Sequence, residues 1–153
     1  MPNNKRWGVL YCPKHELLSP KRRWEKIEKC LKDNGVEYDF IQSESSSGVD
    51  RLIKMMINNG YETIVIVGGD SALNDAVNCL MQYDSSVRER VVLGVIPNGL
   101  MNDFAHFWGF RESDYSQTIK WLKQRHVRKI DLGCIRYTNK KGETCRRYFL
   151  NCI

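Results

Sequence analysis

The sequence lacks any apolar run approaching the roughly 18 residues that a membrane-spanning helix requires. Its first eight residues, MPNNKRWG, lack the apolar stretch that forms the centre of a secretory signal. We therefore expect a cytoplasmic protein without a spanning segment, so that any association with a membrane would be peripheral.

Paired cysteines and clustered histidines are also missing. The 6 cysteines include no CxxC pair, and the 3 histidines, His15, His106 and His126, are far apart in the chain. Neither a structural zinc site nor a small disulfide framework has this spacing. We expect the thiols to be reduced, as they are in most cytoplasmic proteins.

Basic residues outnumber acidic ones by 24 to 18, which gives a formal net charge of +6. The basic clusters are short and scattered, which is typical of a solvated surface but also suits contact with a nucleotide or an anionic membrane. They are Lys21–Arg23, Arg128–Lys129, Lys140–Lys141 and Arg146–Arg147. No RNA-binding aromatic motif or zinc finger accompanies them, so we predict no nucleic-acid partner.

Short apolar runs alternate with amphipathic helical patterns over the first 125 residues. The predicted strands are Trp7–Cys12, Val36–Phe40, Thr63–Val67 and Val91–Ile96. The predicted helices follow Ser19 and Pro20, span Val49–Ile57, run from Leu73 to Met81, and include Tyr115, Ile119 and Leu122. This alternation predicts a Rossmann-like α/β fold, a parallel sheet covered by helices on both faces.

The pattern changes after Arg125. Apolar and polar residues alternate from Ile130 to Ile135, and TNKKGET (Thr138–Thr144) is typical of a hairpin turn between two strands. The last six residues, YFLNCI, indicate an apolar strand. We therefore predict that residues 1–125 form one α/β domain and that residues 126–153 begin a β-rich second domain that is truncated.

Two glycine-containing loops follow neighbouring predicted strands. In the first, Gly68 and Gly69 would let backbone N–H groups approach an anion near the N terminus of a helix. Asp70 would repel bare phosphate, but it suits a site that also holds Mg²⁺ or a hydroxyl donor. The alternative is a tight turn in which Asp70 or Ser71 caps the helix.

The second loop contains Asn98–Gly99 and then Asn102–Asp103 at the start of another helix. A simple capped helix is again the alternative for this loop. Ligands of doubly wound sheets bind beyond the carboxyl ends of the strands, where both loops are expected. Two such loops at adjacent strand ends therefore favour a ligand site.

The two loops and the C-terminal segment resemble a known family. GGDSALNDAVN is similar to the GGDGTLNE-type motif of diacylglycerol kinase catalytic domains, which are related to sphingosine kinases and distantly to NAD kinases. GVIPNGLMNDFAHFWG is similar to the family's second motif, GxxPxGTGNDFAR. IDLGCIRY followed by RRYFLNCI resembles the passage into the family's β-sandwich second domain.

The resemblance implies a lipid kinase that uses ATP and Mg²⁺ to phosphorylate a lipid hydroxyl, such as that of diacylglycerol. It implies that residues 1–125 bind the nucleotide and that the second domain holds most of the lipid. Asp70 would organise the metal or accept the hydroxyl proton. The implied nucleotide contacts are Gly68, Gly69, Asp70, Ser71, Ala72, Asn74, Gly99, Asn102 and Asp103.

Several residues depart from the family's motifs. Ser71–Ala72 replace Gly-Thr, Leu100–Met101 replace Thr-Gly, and His106 replaces an arginine; the early NPxSG motif is reduced to Cys12–Glu16. We expect Leu100 and Met101 to crowd the site, and we expect these 153 residues alone to be inactive. A second hypothesis is therefore a catalytically degraded nucleotide- or lipid-binding regulatory module of the same fold.

Overall fold

The computed structural model describes residues 5–13, 20–44 and 48–151. Most of the altered early motif, including Lys14, His15 and Glu16, lies outside the described residues. The predicted helix cap at Ser19 lies outside them as well.

Six strands and six helices are present in the described part of the chain. In order they are β1 (Trp7–Tyr11), α1 (Pro20–Asp33), β2 (Tyr38–Gln42), α2 (Val49–Asn58), β3 (Thr63–Gly68), α3 (Asp70–Leu80), α4 (Ser85–Arg90), β4 (Val92–Pro97), α5 (Asp103–Phe107), α6 (Tyr115–Gln124), β5 (Gly133–Thr138) and β6 (Thr144–Phe149). The predicted strands and long helices are all present, but β2 begins at Tyr38 and ends at Gln42, two residues later than predicted. The short helix α4 was not predicted, because it buries no residue and so has no apolar periodicity.

Strands β1 to β4 form one parallel sheet in the order β2-β1-β3-β4. The two central strands, β1 and β3, are buried along their whole length, which explains their unbroken apolar sequences. Helices α2 and α3 cover one face of the sheet, with Ile53 and Leu73 in the core. Helices α1 and α6 cover the other face through Ile27, Leu31 and Ile119. The predicted doubly covered sheet is thus confirmed.

Strands β5 and β6 pair antiparallel as the predicted hairpin, and Thr138 lies opposite Thr144 at its closed end. The turn between them contains Gly142 at φ +79°, a conformation that glycine adopts without steric cost. Strand β6 ends at Phe149, so the prediction that the YFLNCI segment is a strand is wrong at Leu150 and Asn151; Cys152 and Ile153 lie outside the described residues.

The hairpin is fixed to α3 by asparagine side chains. Asn78 accepts a hydrogen bond from the Tyr148 N–H (2.8 Å) and donates one to the Tyr148 carbonyl (2.7 Å), so its amide pairs with β6 as a neighbouring strand would. Asp75 on the same helix forms an ion pair with Arg147 at 2.8 Å. Helix α3 therefore connects the loop after β3 to the hairpin.

We predict that Asn78→Ala loosens the hairpin without unfolding the sheet. The variant leaves the Tyr148 N–H and carbonyl without their side-chain partners, at a cost of about 1–2 kcal/mol. Amide hydrogen exchange should accelerate at Tyr148 and Leu150 while β3 stays protected. Asn59→Ala, at an exposed position that follows α2, is the matched control. Equal acceleration in both variants would contradict the role given to Asn78.

Candidate functional site

The two predicted loops begin side by side at the carboxyl edge of the sheet. Gly68 at the end of β3 is in register with Pro97 at the end of β4. The N–H of Asn98 then donates to the Gly68 carbonyl at 2.9 Å. The parallel pairing of β3 with β4 therefore brings the two loops together, as the sequence predicts.

Gly69 and Gly99 touch each other across the two loops. A Cβ atom on Gly99 would lie 2.3 Å from the Gly69 Cα, and one on Gly69 would lie 2.9 Å from the Gly99 Cα. Neither residue has a positive φ, so glycine is required here by contact and not by backbone conformation. The sequence argument gave Gly69 the role of admitting an anion and Gly99 that of a turn; the structure shows that each glycine also allows the other to approach.

Asp70 links the two loops through its carboxylate. The side chain is buried (6% exposed), and its oxygens accept hydrogen bonds from the backbone N–H groups of Asp103 (2.9 Å) and Phe104 (3.1 Å). Its own N–H donates to the Met101 carbonyl at 3.1 Å. Asp70 thus satisfies two N–H groups at the start of α5, which belongs to the other loop.

The structure corrects two expectations about the first loop. Helix α3 begins at Asp70 and not at Leu73, and its N-cap is Gly69, with no side-chain cap hydrogen bond. The alternative in which Asp70 or Ser71 caps its own helix is therefore wrong. Asp70 acts as a cap, but for α5, because its carboxylate faces the second loop.

Asn102 closes the second loop from within. It is buried, its side-chain oxygen accepts from the Gly99 N–H at 2.9 Å, and its amide donates to the Gly99 carbonyl at 3.0 Å. The N–H groups of Gly99, Asp70, Asp103 and Phe104 are therefore all used between or within the loops. The first-turn N–H groups of Ser71 and Ala72 are the donors that helix geometry leaves for a ligand.

The Asn74 side chain contacts the segment that follows the hairpin. Its side chain is buried, and its oxygen accepts from the Leu150 N–H at 2.9 Å, just beyond β6. The other implied site residues, Gly68 to Ala72 together with Gly99, Asn102 and Asp103, do lie together at the loops. Asn74 instead supports the attachment of the hairpin.

Leu100 and Met101 do not fill the space between the loops. Their side chains are 67% and 62% exposed, while the Met101 carbonyl faces the Asp70 N–H. Gly69 and Gly99 close the space between the two loops by direct contact. Any crowding by these residues would therefore act on a ligand from the solvent side.

Glu112 was not identified from the sequence. It accepts hydrogen bonds from the Asn102 amide and from His106 Nε2, the latter at 2.9 Å. Burial raises the pKa of this carboxyl, but the hydrogen bonds from His106 and Asn102 lower the pKa by more than burial raises it. The net pKa of Glu112 therefore lies below its ordinary value. Glu112 therefore orients Asn102, and no spacing in the sequence links the two residues.

Asn98 and Arg23 form a second connection that the sequence did not reveal. Asn98 is buried, and its side-chain oxygen accepts from the Arg23 guanidinium at 2.9 Å. Its side-chain nitrogen is buried without a hydrogen-bond partner among the described residues. Arg23 therefore ties α1 to the start of the second loop.

A separate cleft of about 410 Å³ runs between α3 and the β5–β6 hairpin. Its lining includes Asp50, Asp75, Asn78, Arg147 and Tyr148. Asp75 and Asn78 are the α3 residues among them, and both lie beyond the first turn of that helix. The cleft is therefore not at the N terminus of α3, where the two loops meet.

The residues at the loops fit a cation that arrives with a nucleotide. Within the described residues, no group of three or more His, Cys, Asp and Glu side chains could hold a metal ion. Asp70 has two lone-pair positions beyond the two hydrogen bonds it accepts, and Asp103 is exposed nearby. Mg²⁺ in nucleotide sites commonly takes one or two carboxylates and completes its shell with phosphate and water.

These features define a doubly wound α/β domain whose two glycine-containing loops meet at the carboxyl edge of its sheet, the edge at which such folds bind their ligands. The family model of the diacylglycerol kinase catalytic domain matches residues 6–135. The chain therefore belongs to the diacylglycerol kinase catalytic domain family.

Relatives of known sequence carry matching names. "Putative lipid kinase YtlR" of Bacillus subtilis is 27% identical over 150 residues, covering 96% of this chain and 46% of the relative. "Diacylglycerol kinase" of Staphylococcus carnosus is 24% identical over 147 residues, covering 96% of this chain and 44% of the relative. The chain thus spans slightly less than half the length of these relatives.

A solved structure supports the fold. The crystal structure of a diacylglycerol kinase from Bacillus anthracis superposes with a TM-score of 0.71, covering 92% of this chain and 45% of that one. Since the sequence identity is 18%, this likeness shows the fold alone.

Proposed function

We propose that the chain is the nucleotide-binding part of a lipid kinase that transfers the γ-phosphoryl group of ATP to a lipid hydroxyl, such as that of diacylglycerol. Family membership and the names of the relatives support this class of reaction. The observation that carries the proposal is the Asp70 carboxylate, which holds the two strand-end loops together where a nucleotide would bind.

Each part of the site has a distinct role in this proposal. The N terminus of α3, with the N–H groups of Ser71 and Ala72, would face the phosphates, whose negative charge the helix dipole stabilises. Asp70 keeps the loops at a fixed separation and lies beside the reacting groups. Bound Mg²⁺ would neutralise phosphate charge, which is the main requirement of phosphoryl transfer.

The lipid would be held mainly by the second domain, which residues 126–153 begin. Asn74 and Asn78 fix the hairpin to α3, so the orientation of that domain would be coupled to the loop containing Asp70. No helix in the part of the chain that the structure describes has the length and hydrophobicity needed to cross a bilayer. We propose a cytoplasmic location with transient contact to an anionic membrane surface.

One observation favours a second function. The loops themselves use the backbone N–H groups of Gly99, Asp103 and Phe104, which donate to side chains of the loops. In addition, Ala72 lacks the hydroxyl that threonine has at the same position of the family motif. A nucleotide therefore finds fewer donors than the family motif suggests. This supports the alternative of a regulatory module that keeps the fold and binds a nucleotide or lipid without catalysis.

The discriminating experiment is transfer of labelled γ-phosphate from ATP to a panel of lipid alcohols by the full-length protein. A lipid kinase should phosphorylate at least one of them, and Asp70→Asn should abolish the transfer while urea unfolding shows that the variant still folds. Absence of transfer to any lipid, together with measurable Mg-ATP binding, would instead establish the regulatory module.

Restoring the family residues should strengthen nucleotide binding. We expect the unaltered chain to bind Mg-ATP weakly, in the millimolar range, and the combined change Ala72→Thr, Leu100→Thr and Met101→Gly to tighten it. A regained hydroxyl bond to a charged phosphate is worth about 1.5–3 kcal/mol, or roughly ten- to a hundredfold in affinity. Calorimetry measures the difference. Micromolar binding of Mg-ATP by the unaltered chain, or no increase in affinity in the triple variant, would show that these three residues do not limit the affinity of the site for the nucleotide.

A further inference from the structure

A chain of hydrogen bonds joins His106 to the second loop through Glu112. Helix α5 ends at Phe107, and a turn with Gly109 at φ +86° brings Glu112 back beside the helix. His106 Nε2 then lies 3.0 and 2.9 Å from the two carboxylate oxygens of Glu112. One of these oxygens also accepts a hydrogen bond from the Asn102 amide. The charge of His106 can therefore act on Asn102 through a single carboxylate.

Glu112 favours one orientation of the Asn102 amide. The amide nitrogen donates to Glu112 and to the Gly99 carbonyl (3.0 Å), while the amide oxygen accepts from the Gly99 N–H (2.9 Å). A flipped amide would place its oxygen against the Glu112 carboxylate, which only accepts hydrogen bonds when it is ionised. The Glu112 carboxylate thus stabilises the orientation in which Asn102 holds Gly99.

The position of Gly99 affects both loops. Gly99 and Gly69 are in backbone contact, since a Cβ on Gly99 would lie 2.3 Å from the Gly69 Cα. Gly69 is the N-cap of α3, whose first-turn N–H groups are the donors that remain for a ligand. The hydrogen bonds that Asn102 makes to Gly99 therefore help to set the distance between the second loop and the N terminus of α3.

The pair of His106 and Glu112 is partly open to solvent. Their side chains are 40% and 39% exposed, so water screens the ion pair and the imidazole can exchange its proton with solvent. A hydrogen bond from a charged donor is roughly twice as strong as one from a neutral donor. A neutral imidazole also divides between two tautomers, and one of them presents a lone pair at Nε2 to the carboxylate. The hold on Glu112 is therefore strongest when His106 is protonated.

Acidic side chains also lie on the elements around the pair. Asp103 is in the first turn of α5, and the Asp70 carboxylate of α3 accepts from its N–H at 2.9 Å. Asp114 is the N-cap of α6 and accepts from the Gln117 N–H at 2.9 Å. The negative charges of these aspartates favour a protonated imidazole nearby, in the same direction as Glu112.

Arg111 and Tyr115 also lie beside the pair. The Arg111 guanidinium donates to the His106 carbonyl at 2.9 Å, and its positive charge opposes protonation of the ring. Burial is the main cause that raises the pKa of Tyr115 at the start of α6. Burial also raises the pKa of Glu112, but hydrogen bonds, first among them the one from His106, bring it below its ordinary value. Histidine is the side chain that ordinarily changes its charge between about pH 5 and 8, so a titration of the pair in that range belongs to His106.

We propose that His106 and Glu112 are positioning residues of the nucleotide site, and that protonation of His106 tightens the second loop and so strengthens Mg-ATP binding. The closed loop favours the protonated ring. Its contribution should therefore be complete below the pH range in which histidine titrates, and it should be lost as the pH rises through that range. The choice of Mg-ATP as the ligand rests on the proposed function, whereas the coupling of His106 to Gly99 and Asn102 can be measured without any nucleotide.

The first measurement is a pH titration of the ¹⁵N-labelled chain without nucleotide. The Gly99 amide and the Asn102 side-chain amide should shift between about pH 5 and 8, with the midpoint of the His106 ring. In His106→Arg, which keeps its positive charge, both signals should stay constant across this range. His126→Gln, at an exposed histidine that follows α6, is the matched control and should titrate like the unaltered chain.

The second measurement is the Mg-ATP affinity, by NMR titration at about pH 6 and about pH 8. In the unaltered chain and in His126→Gln, we expect binding to weaken about three- to tenfold at the higher pH, since a neutral donor replaces a charged one. His106→Arg should bind equally well at both pH values, which also controls for titration of the nucleotide itself. Glu112→Gln should bind more weakly at the lower pH and should lose the pH dependence.

Equal pH dependence of the affinity in the unaltered chain and in His106→Arg would overturn the proposal, and so would Gly99 and Asn102 signals that do not follow the His106 ring. Weaker binding by Glu112→Gln with an unchanged pH dependence would also overturn it, by leaving Glu112 a purely structural role. Urea unfolding shows whether each variant folds; if His106→Arg does not, the comparison of Glu112→Gln with the unaltered chain decides. If Mg-ATP binds at no pH while both signals still follow His106, the proposed function is refuted and the coupling of His106 to the loop is supported.

Discussion

Asp70→Ala is expected to lower the free energy of unfolding by about 2–4 kcal/mol, because it leaves two N–H groups at the start of α5 without their charged acceptor. The carboxylate is buried, and its bonds to Asp103 and Phe104 join residues 33 and 34 positions away. Asp70→Asn should show a smaller loss, since its amide keeps one oxygen that can accept one of the two hydrogen bonds, whereas alanine accepts neither. Urea unfolding of the purified variants measures both effects.

Asp103→Ala is the matched control for the Asp70 variants. Asp103 is an exposed aspartate in the first turn of α5, so its removal should cost at most about 1 kcal/mol of helix-dipole interaction. If Asp70→Ala is no more destabilising than Asp103→Ala, the carboxylate does not hold the loops together. A loss of kinase activity in Asp70→Ala would therefore have two causes, the separation of the two loops and the removal of the carboxylate itself.

Gly99→Ala is expected to separate the two loops and to destabilise the chain by about 1–3 kcal/mol, the usual range for an overpacked contact. The new Cβ would lie 2.3 Å from the Gly69 Cα and 2.8 Å from the Gly69 nitrogen, and neither backbone atom can move without its loop. Mg-ATP binding should weaken with it, because Gly69 is the N-cap of α3 and its displacement would move the N terminus of that helix. Thermal unfolding and a nucleotide titration together measure the effect.

Gly94→Ala provides the control for added volume alone. Its Cβ would lie 3.2 Å from a terminal methyl of Leu122, which can rotate away, so the loss of stability should be small. Similar losses in Gly94→Ala and Gly99→Ala would contradict the requirement for two facing glycines. A stable Gly99→Ala with unchanged nucleotide affinity would contradict it more strongly.

The sheet could be predicted from the sequence because its strands carry local signals. The residues of β1 and β3 are continuously apolar since both strands are central, and α2 repeats its apolar residues at helical spacing. Helix α4 gave no such signal, because it buries no residue and its cap, in which the Val87 N–H donates to the Asp84 carboxylate at 3.1 Å, leaves no apolar periodicity in the sequence. Local pattern therefore predicted the elements that bury apolar surface.

The site was predicted less completely, because its side chains act over long sequence distances. The loops could be located at neighbouring strand ends from the parallel order alone. The hydrogen-bond partners of Asp70 in the second loop could not be predicted from the sequence. The spacing within GGDS suggests only that Asp70 caps the helix that follows it. Asn74 lies 76 positions before its partner Leu150, and nothing in the intervening sequence connects them. The structure was needed to distinguish the polar side chains that hold the fold together from those that are left to face a ligand.

The measurement that tests the central claim most directly is a Mg-ATP titration of the ¹⁵N-labelled chain followed by NMR, with Mg²⁺ alone as the reference. If the two loops form one nucleotide site held by Asp70, amide shifts at millimolar Mg-ATP should appear together in Gly69–Ala72 and in Gly99–Phe104. The Asp70→Asn variant should reduce both sets in parallel. Shifts confined to one loop, shifts in the cleft between α3 and the hairpin instead, or no shifts at all would contradict the account.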